Sequence, residues 1–244
     1  MILNSKINVK KNFRLNRDNV VLKNNKFYNY SLKNIKKKTF FNFQDYQATI
    51  FVLNQKNSSI SFNKKSYKIK KNTIIYLKNV EKFTIDKEVT ILLAKKKINR
   101  KKPEFMISNI HKVYTVKKPW GYERWINGYN SNYAFKNIFI KRKNKTSLQY
   151  HKKKTETNFL IKGDALLVTK KNNFVKNKNV ASKDLRKILI KSPAAINVNP
   201  PGLHRIIAKT NIELFEISSQ HLDDVIRIQD DANRKSGKIS SEHR

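Results

Sequence analysis

Ser147-Leu-Gln-Tyr-His-Lys-Lys-Lys-Thr-Glu-Thr-Asn-Phe-Leu-Ile-Lys-Gly163 and, some 40 residues on, Asn199-Pro-Pro-Gly-Leu-His-Arg205 decide the reading of this chain. Gln149 and His151 are two apart, so on one strand they point to the same face. Glu156 opens the next β-type run and can face the same interior. His204 follows a Pro-x-x-His turn and would arrive on an antiparallel strand from the far side. Two imidazoles, a carboxylate and an amide oxygen form a mixed N/O donor set, suited to one divalent ion, and the ligands alone do not select among Zn, Mn, Fe, Co and Ni. The chain has five histidines, none before His111, and two of them fall on these two turns. That placement argues against chance.

Working outward, short runs rich in Ile, Val, Phe and Tyr dominate: Ala48–Leu53, Ser59–Phe62, Thr73–Leu77, Val89–Ala94, Phe135–Ile140, Thr157–Ile161, Ala165–Thr169, Ala195–Val198, His204–Ala208 and Ile212–Ile217. Lys/Asn/Gly/Asp turns separate them, a pattern of many short strands that predicts an all-β sandwich or barrel. Helical periodicity is weak, His221–Ile228 being the one candidate. The segment Ile69–Ile85 can be laid on Ile190–Ile206, each leading into an apolar strand, and Ile50–Asn54 on Phe159–Gly163. This internal repeat predicts two similar barrels, about 20–98 and 113–234, hence domains 1–112 and 113–244. Lys95–Lys102, followed by Pro103, is expected to link them. The alignment sets Asn42, Gln47 and Phe83 of the first barrel against His151, Glu156 and His204. That barrel therefore cannot build the same site and is expected to be a structural or dimerisation module.

The two-part ligand pattern resembles the cupin superfamily, and the ordered set Lys118-Pro-Trp-Gly-Tyr-Glu123, Ser147–His151, Pro200–Arg205 and Leu222-Asp-Asp-Val-Ile-Arg227 is similar to the C-terminal cupin of type II phosphomannose isomerases. The resemblance covers about half the chain. It implies a tandem cupin (jelly-roll) fold with a degenerate first barrel, and metal ligands Gln149, His151, Glu156 and His204. It further implies metal-dependent interconversion of an aldose and a ketose phosphate, of the mannose 6-phosphate/fructose 6-phosphate type, with Arg205, Lys154 and Glu156 as catalytic candidates. The family's guanylyltransferase half, with its glycine-rich nucleotide loop, is absent from this sequence, so GDP-sugar synthesis is not expected. Lys152, Lys153 and Lys154 stand where the family often has extra histidines and an arginine.

Arg205 can stabilise an enediolate or bind phosphate, or face outward as the neighbour of a ligand on a strand. Lys154 is a proton shuttle or phosphate contact, or a solvated lysine in a run. Trp120 and Tyr122 line the sugar pocket or anchor the entry strand. Two other functions have the same ligands: a cupin that binds a sugar phosphate or nucleotide sugar without turnover, and a different metal-cupin enzyme such as an oxygenase.

Composition bounds the rest. The net charge is +37, with 44 Lys against 10 Arg. A reader of nucleic acid would use more arginine for bidentate contacts. The lysines also run the whole length of the chain alongside abundant Asn, Ile, Phe and Tyr, so compositional bias is favoured over a nucleic-acid partner. The charge still steers anions such as a phosphorylated sugar. Cysteine is absent, which excludes disulfides and thiolate sites and fits a cytoplasmic protein. Met1–Lys11 is a poor signal peptide, and no run of about 18 apolar residues predicts a membrane span.

Overall fold

The structure, a computed structural model, describes residues 6–99, 101–127, 132–170 and 180–237. It is almost entirely β. In chain order the strands are β1 (Ile7–Lys10), β2 (Val20–Asn24), β3 (Asn29–Ile35), β4 (Thr39–Gln55), β5 (Ser59–Phe62), β6 (Lys65–Lys68), β7 (Thr73–Ile85), β8 (Val89–Lys97), β9 (Glu104–Asn109) and β10 (Thr115–Lys118). There follow β11 (Gly121–Trp125), β12 (Ala134–Ile140), β13 (Leu148–His151), β14 (Glu156–Lys162), β15 (Asp164–Lys170), β16 (Leu185–Lys191), β17 (Ala194–Val198), β18 (His204–Ala208), β19 (Ile212–Ser218) and β20 (Val225–Gln229). Two single-turn 3₁₀ helices, Ile110–Lys112 and Ser182–Asp184, are the only helices among the described residues. None is long and apolar enough to cross a membrane.

The chain divides into two compact units. β2–β9 form the first; β1 and β10–β20 form the second. The second unit packs a seven-stranded sheet, β1-β17-β14-β19-β12-β11-β10, against a five-stranded one, β16-β15-β18-β13-β20. Period-2 alternation decides which residues fill the space between them. On β12, Ile138 and Ile140 join the core while Lys136 lines a cavity; on β19, Ile212 and Leu214 join the core while Glu216 lines that cavity. The barrel interior therefore has an apolar part, built on Ile, Leu, Val and Ala, and a charged part.

The first unit is a single sheet, β2-β3-β8-β4-β7-β5-β6, with β9 also on β7. Its pairing repeats that of the second unit. β8 lies between β3 and β4 as β19 lies between β12 and β14, and β4 pairs β7 as β14 pairs β17. The difference lies in continuity. β4 runs for 17 residues, with register shifts between Phe41 and Gln47, where the second unit breaks into β13 and β14. β7 runs for 13 residues where the second unit breaks into β17 and β18. The two breaks are the Lys152–Thr155 and Asn199–Leu203 segments, and each sets a candidate ligand beside it.

Three expectations are corrected. Lys95–Lys97 are not linker; they end β8 and pair with Ala48, Gln47 and Tyr46, and β9 pairs with β7 straight after Pro103. A solvated strand end and a linker have the same lysine-rich composition, so only pairing separates them. (Arg100 lies outside the described residues.) Residues near the N-terminus do not belong with the first barrel: β1 pairs with β17 and buries Ile7 and Val9 in the second core. His221–Ile228 is not helical. Its end forms β20, where Arg227, Ile226 and Val225 pair with Gln149, Tyr150 and His151, so tertiary pairing overrides a weak helical pattern.

Candidate metal centre

Gln149 on β13 and His204 on β18 are directly opposite in register. Directly opposed residues project from the same face of a sheet, and both line the charged end of the cavity. Glu156, the first residue of β14, comes from the facing sheet. Candidate ligand atoms of His151, Glu156 and His204 all lie within 4.8 Å of one another, and all three residues are buried. The backbone of the second motif needs its glycine. A Cβ at Gly202 would stand 2.8 Å from Asn199 O, which the turn delivering His204 cannot accommodate.

The outer edge of each imidazole is fixed by a carbonyl. His151 Nδ1 lies 2.8 Å from Asp224 O, and His204 Nδ1 lies 3.0 Å from Gly202 O. A carbonyl only accepts, so each Nδ1 carries the proton and Nε2 is turned inward. His204 Nε2 is 2.9 Å from Glu156 Oε1. His151 Nε2 is 3.4 Å from Glu156 Oε2, completes no hydrogen bond and is sealed from solvent. An orphaned, buried lone pair beside a carboxylate and a second imidazole is what a divalent cation satisfies. The donor set therefore fits a metal ion.

The carboxylate is held from all sides. Glu156 Oε1 also accepts from Asn158 Nδ2 at 3.0 Å, and Oε2 accepts from Lys154 Nζ at 2.7 Å. Burial alone would raise the Glu156 pKa, but Lys154 and His204 outweigh it and keep the group well below the ordinary carboxylate range. Burial lowers His151, and the Lys154 ammonium adds to this against Glu156. At His204 burial is overcome by the Glu156 pairing, and the imidazole is raised.

Lys154 is not a solvated lysine. It is 5% exposed and clamped between Glu156 Oε2 and Glu216 Oε1, the latter at 2.9 Å. Burial disfavours its charge, yet the two carboxylates raise its pKa above the lysine range, so it stays an ammonium. Its backbone is positioned by Asp224, whose carboxylate accepts from the amides of Lys152 at 3.1 Å, Lys154 at 2.8 Å, and Lys153. Asp224 thus orders the lysine turn through its side chain and His151 through its carbonyl.

Arg205 does not join the site, which corrects its place among the catalytic candidates. As the strand neighbour of His204 it points the other way. Its Nε donates to Thr146 O at 2.8 Å and its NH2 to Gln229 O at 2.9 Å, with Asp231 at 3.6 Å. The guanidinium ties β18 to β20. Trp120 lines the cavity, whereas Tyr122 stacks on Phe139 at 5.2 Å beneath Arg124. The first barrel fills the matching place with rings. Phe83 pairs in register with Phe41 and Phe62, as His204 pairs with Gln149 and Thr169. Phe43 and Phe105 close against Phe83 at 6.1 and 6.4 Å. Asn42 is exposed, with its Oδ1 accepting from Gln44 N, and Gln47 accepts from Asn132, so neither occupies a ligand position.

Sequence reasoning missed Asp224, Asn158, Glu216 and a second buried cluster, Glu123 with Lys136 at 3.3 Å and Lys118 at 3.9 Å. A signal existed for two of them. Lys136 and Glu216 sit in phase with Ile138 and Leu214, at core-facing positions of otherwise apolar strands.

A family model described as "Mannose-6-phosphate isomerase C-terminal" matches residues 106–230. No curated protein matches. Among solved structures, the putative glyoxylate-induced protein of Pseudomonas aeruginosa is similar at 6% identity and TM-score 0.61, covering 87% of this chain and 79% of that one. Tomato (Solanum lycopersicum) vicilin is similar at 11% identity and TM-score 0.56, covering 80% and 75%. Bacillus subtilis oxalate decarboxylase, described with Mn(II) centres, is similar at 7% identity and TM-score 0.57, covering 83% and 71%. These likenesses are to cupins and concern the fold.

Proposed function

The chain belongs to the mannose-6-phosphate isomerase C-terminal family of cupins, and from that premise we propose that it isomerises a phosphorylated aldose and ketose, interconverting mannose 6-phosphate and fructose 6-phosphate. The convergence of His151, Glu156 and His204 in a charged cavity carries the reading. Those three residues, with Gln149 opposite His204, would hold one divalent ion, zinc first. When bound, such an ion supplies Lewis-acid polarisation of carbonyl and hydroxyl oxygens.

The chain's own residues supply the rest. Lys154 and Asn158 keep Glu156 ionised and fixed in orientation. Trp120, Ile138 and Leu214 give the cavity an apolar wall. Lys118, Lys136, Arg227 and Arg234 line it alongside Glu123 and Glu216, and this cation excess favours an anionic sugar over a neutral one. The test is to follow both sugar phosphates with the protein loaded in turn with Zn, Mn, Co, Fe and Ni. Interconversion by the wild type, with loss of bound metal and turnover in His204→Ala, is expected. Absence of interconversion with every metal removes the isomerase reading.

A further inference from the structure

Isomerisation of a hydroxyaldehyde needs a base for a carbon-bound proton, and a metal-ligating carboxylate is poorly placed to be it. Three carboxylates line the cavity among the described residues: Glu123, Glu156 and Glu216. Glu156 has both oxygens committed, Oε1 to His204 and Asn158, Oε2 to Lys154. Glu123 lies between Lys136 and Lys118. Burial opposes its ionisation, but the two lysines bring its pKa down to about 2, too weak a base for this step.

Glu216 differs. It lies opposite Asn158 on one side and Lys136 on the other, diagonal on the sheet to Glu156, which pairs with Ser218. Its Oε1 accepts from Lys154 Nζ at 2.9 Å, and among the described residues no hydrogen bond reaches Oε2. One ammonium thus fixes the rotamer of Glu216 from the same point that fixes the ligand Glu156, leaving the second oxygen to the cavity.

We propose that Glu216 is the proton acceptor for the carbon acid, an assignment that rests on the isomerase reading above. In the aldose direction the C2–H bond breaks and its proton passes to Glu216 Oε2. The C–H pair becomes the C1–C2 double bond, and the carbonyl pair moves to O1. The O2 proton then passes to O1. Finally Glu216 returns its proton to C1 as the O2 pair closes the ketone. Atoms and charge balance, and no oxidant or reductant is consumed. Lys154 is a positioning residue in this scheme.

Glu216→Gln keeps an oxygen for Lys154 but cannot take a proton. In the metal-loaded full chain it is expected to lower turnover in both directions by about 10²–10⁴-fold. Metal content and the KM for mannose 6-phosphate should stay unchanged, and exchange of solvent deuterium into C2 should fall in parallel. Wild-type turnover and exchange in Glu216→Gln overturn the assignment while leaving the isomerase reading intact. A wild type inactive with every metal overturns both. If Glu216→Gln fails to fold, Glu216→Asp decides. A folded, metal-replete variant slowed by about 10²-fold supports the role of the displaced carboxylate, and an unchanged rate overturns it.

Discussion

Charge at single buried residues organises the second barrel. Lys154, in the break before β14, and Glu123, on β11, both hold their charge with little solvent contact, and each persists because it is paired. Glu123 has a consequence that can be measured. Its folded pKa of about 2 lies below the ordinary 4.5, so the folded state favours its ionised form. The resulting stability is complete above pH 4.5 and is lost as the pH falls from there toward 2. The full difference corresponds to about 3 kcal/mol. Urea midpoints measured between pH 6 and pH 3 should therefore fall in the wild type. In Glu123→Gln they should start lower and fall less steeply. Equal slopes in the two proteins would show that Glu123 is not held down by Lys136 and Lys118. Arg205 teaches the complementary point: a residue adjacent to a ligand in sequence is turned to the opposite face by the two-residue period of the strand.

At the scale of elements, chemistry enters where strands are interrupted. β4 and β7 run through, and rings fill the space around Phe83. Their counterparts break at Lys152–Thr155 and Asn199–Leu203, and the breaks aim His151, Glu156 and His204 inward. β1 shows an element recruited over a long sequence separation. Ile7 and Val9, both 1% exposed, complete the core of a unit whose next strand begins at Thr115. Deleting residues 1–12 removes both side chains and leaves β17 as an exposed edge. At about 1.5–3 kcal/mol per buried aliphatic side chain, the expected loss is about 3–6 kcal/mol, read from denaturant unfolding. A truncated protein with unaltered stability would show that β1 adds nothing to this barrel.

At the scale of the whole molecule, the net charge of +37 acts at long range. A phosphorylated sugar approaches a strongly positive protein, and that attraction is screened as salt shortens the Debye length from about 30 Å at 0.01 M to about 8 Å at 0.15 M. If the reaction is limited by encounter, kcat/KM for mannose 6-phosphate should decline steadily across that range while kcat holds. A kcat/KM independent of ionic strength would mean that the lysine excess has no part in substrate capture.

The ten runs read as strands all lie within strands of the fold, because β-branched and aromatic residues in short, turn-bounded blocks have one way to bury themselves. The Ile69–Ile85/Ile190–Ile206 match was legible for the same reason: β7 and the β17–β18 pair carry one apolar pattern. The sequence by itself also determined the donor types, since imidazole, carboxylate and amide are fixed by residue identity and strand period. Tertiary structure decided the remainder. Whether Lys154 is solvated or clamped depends on Glu216, 62 residues away. Whether Arg205 serves the cavity depends on Gln229 and the strand that carries it. Whether Lys95–Lys97 are linker or strand depends on a partner strand. Local sequence encodes which face a side chain takes along its strand. Only the packing of distant strands determines what waits on that face.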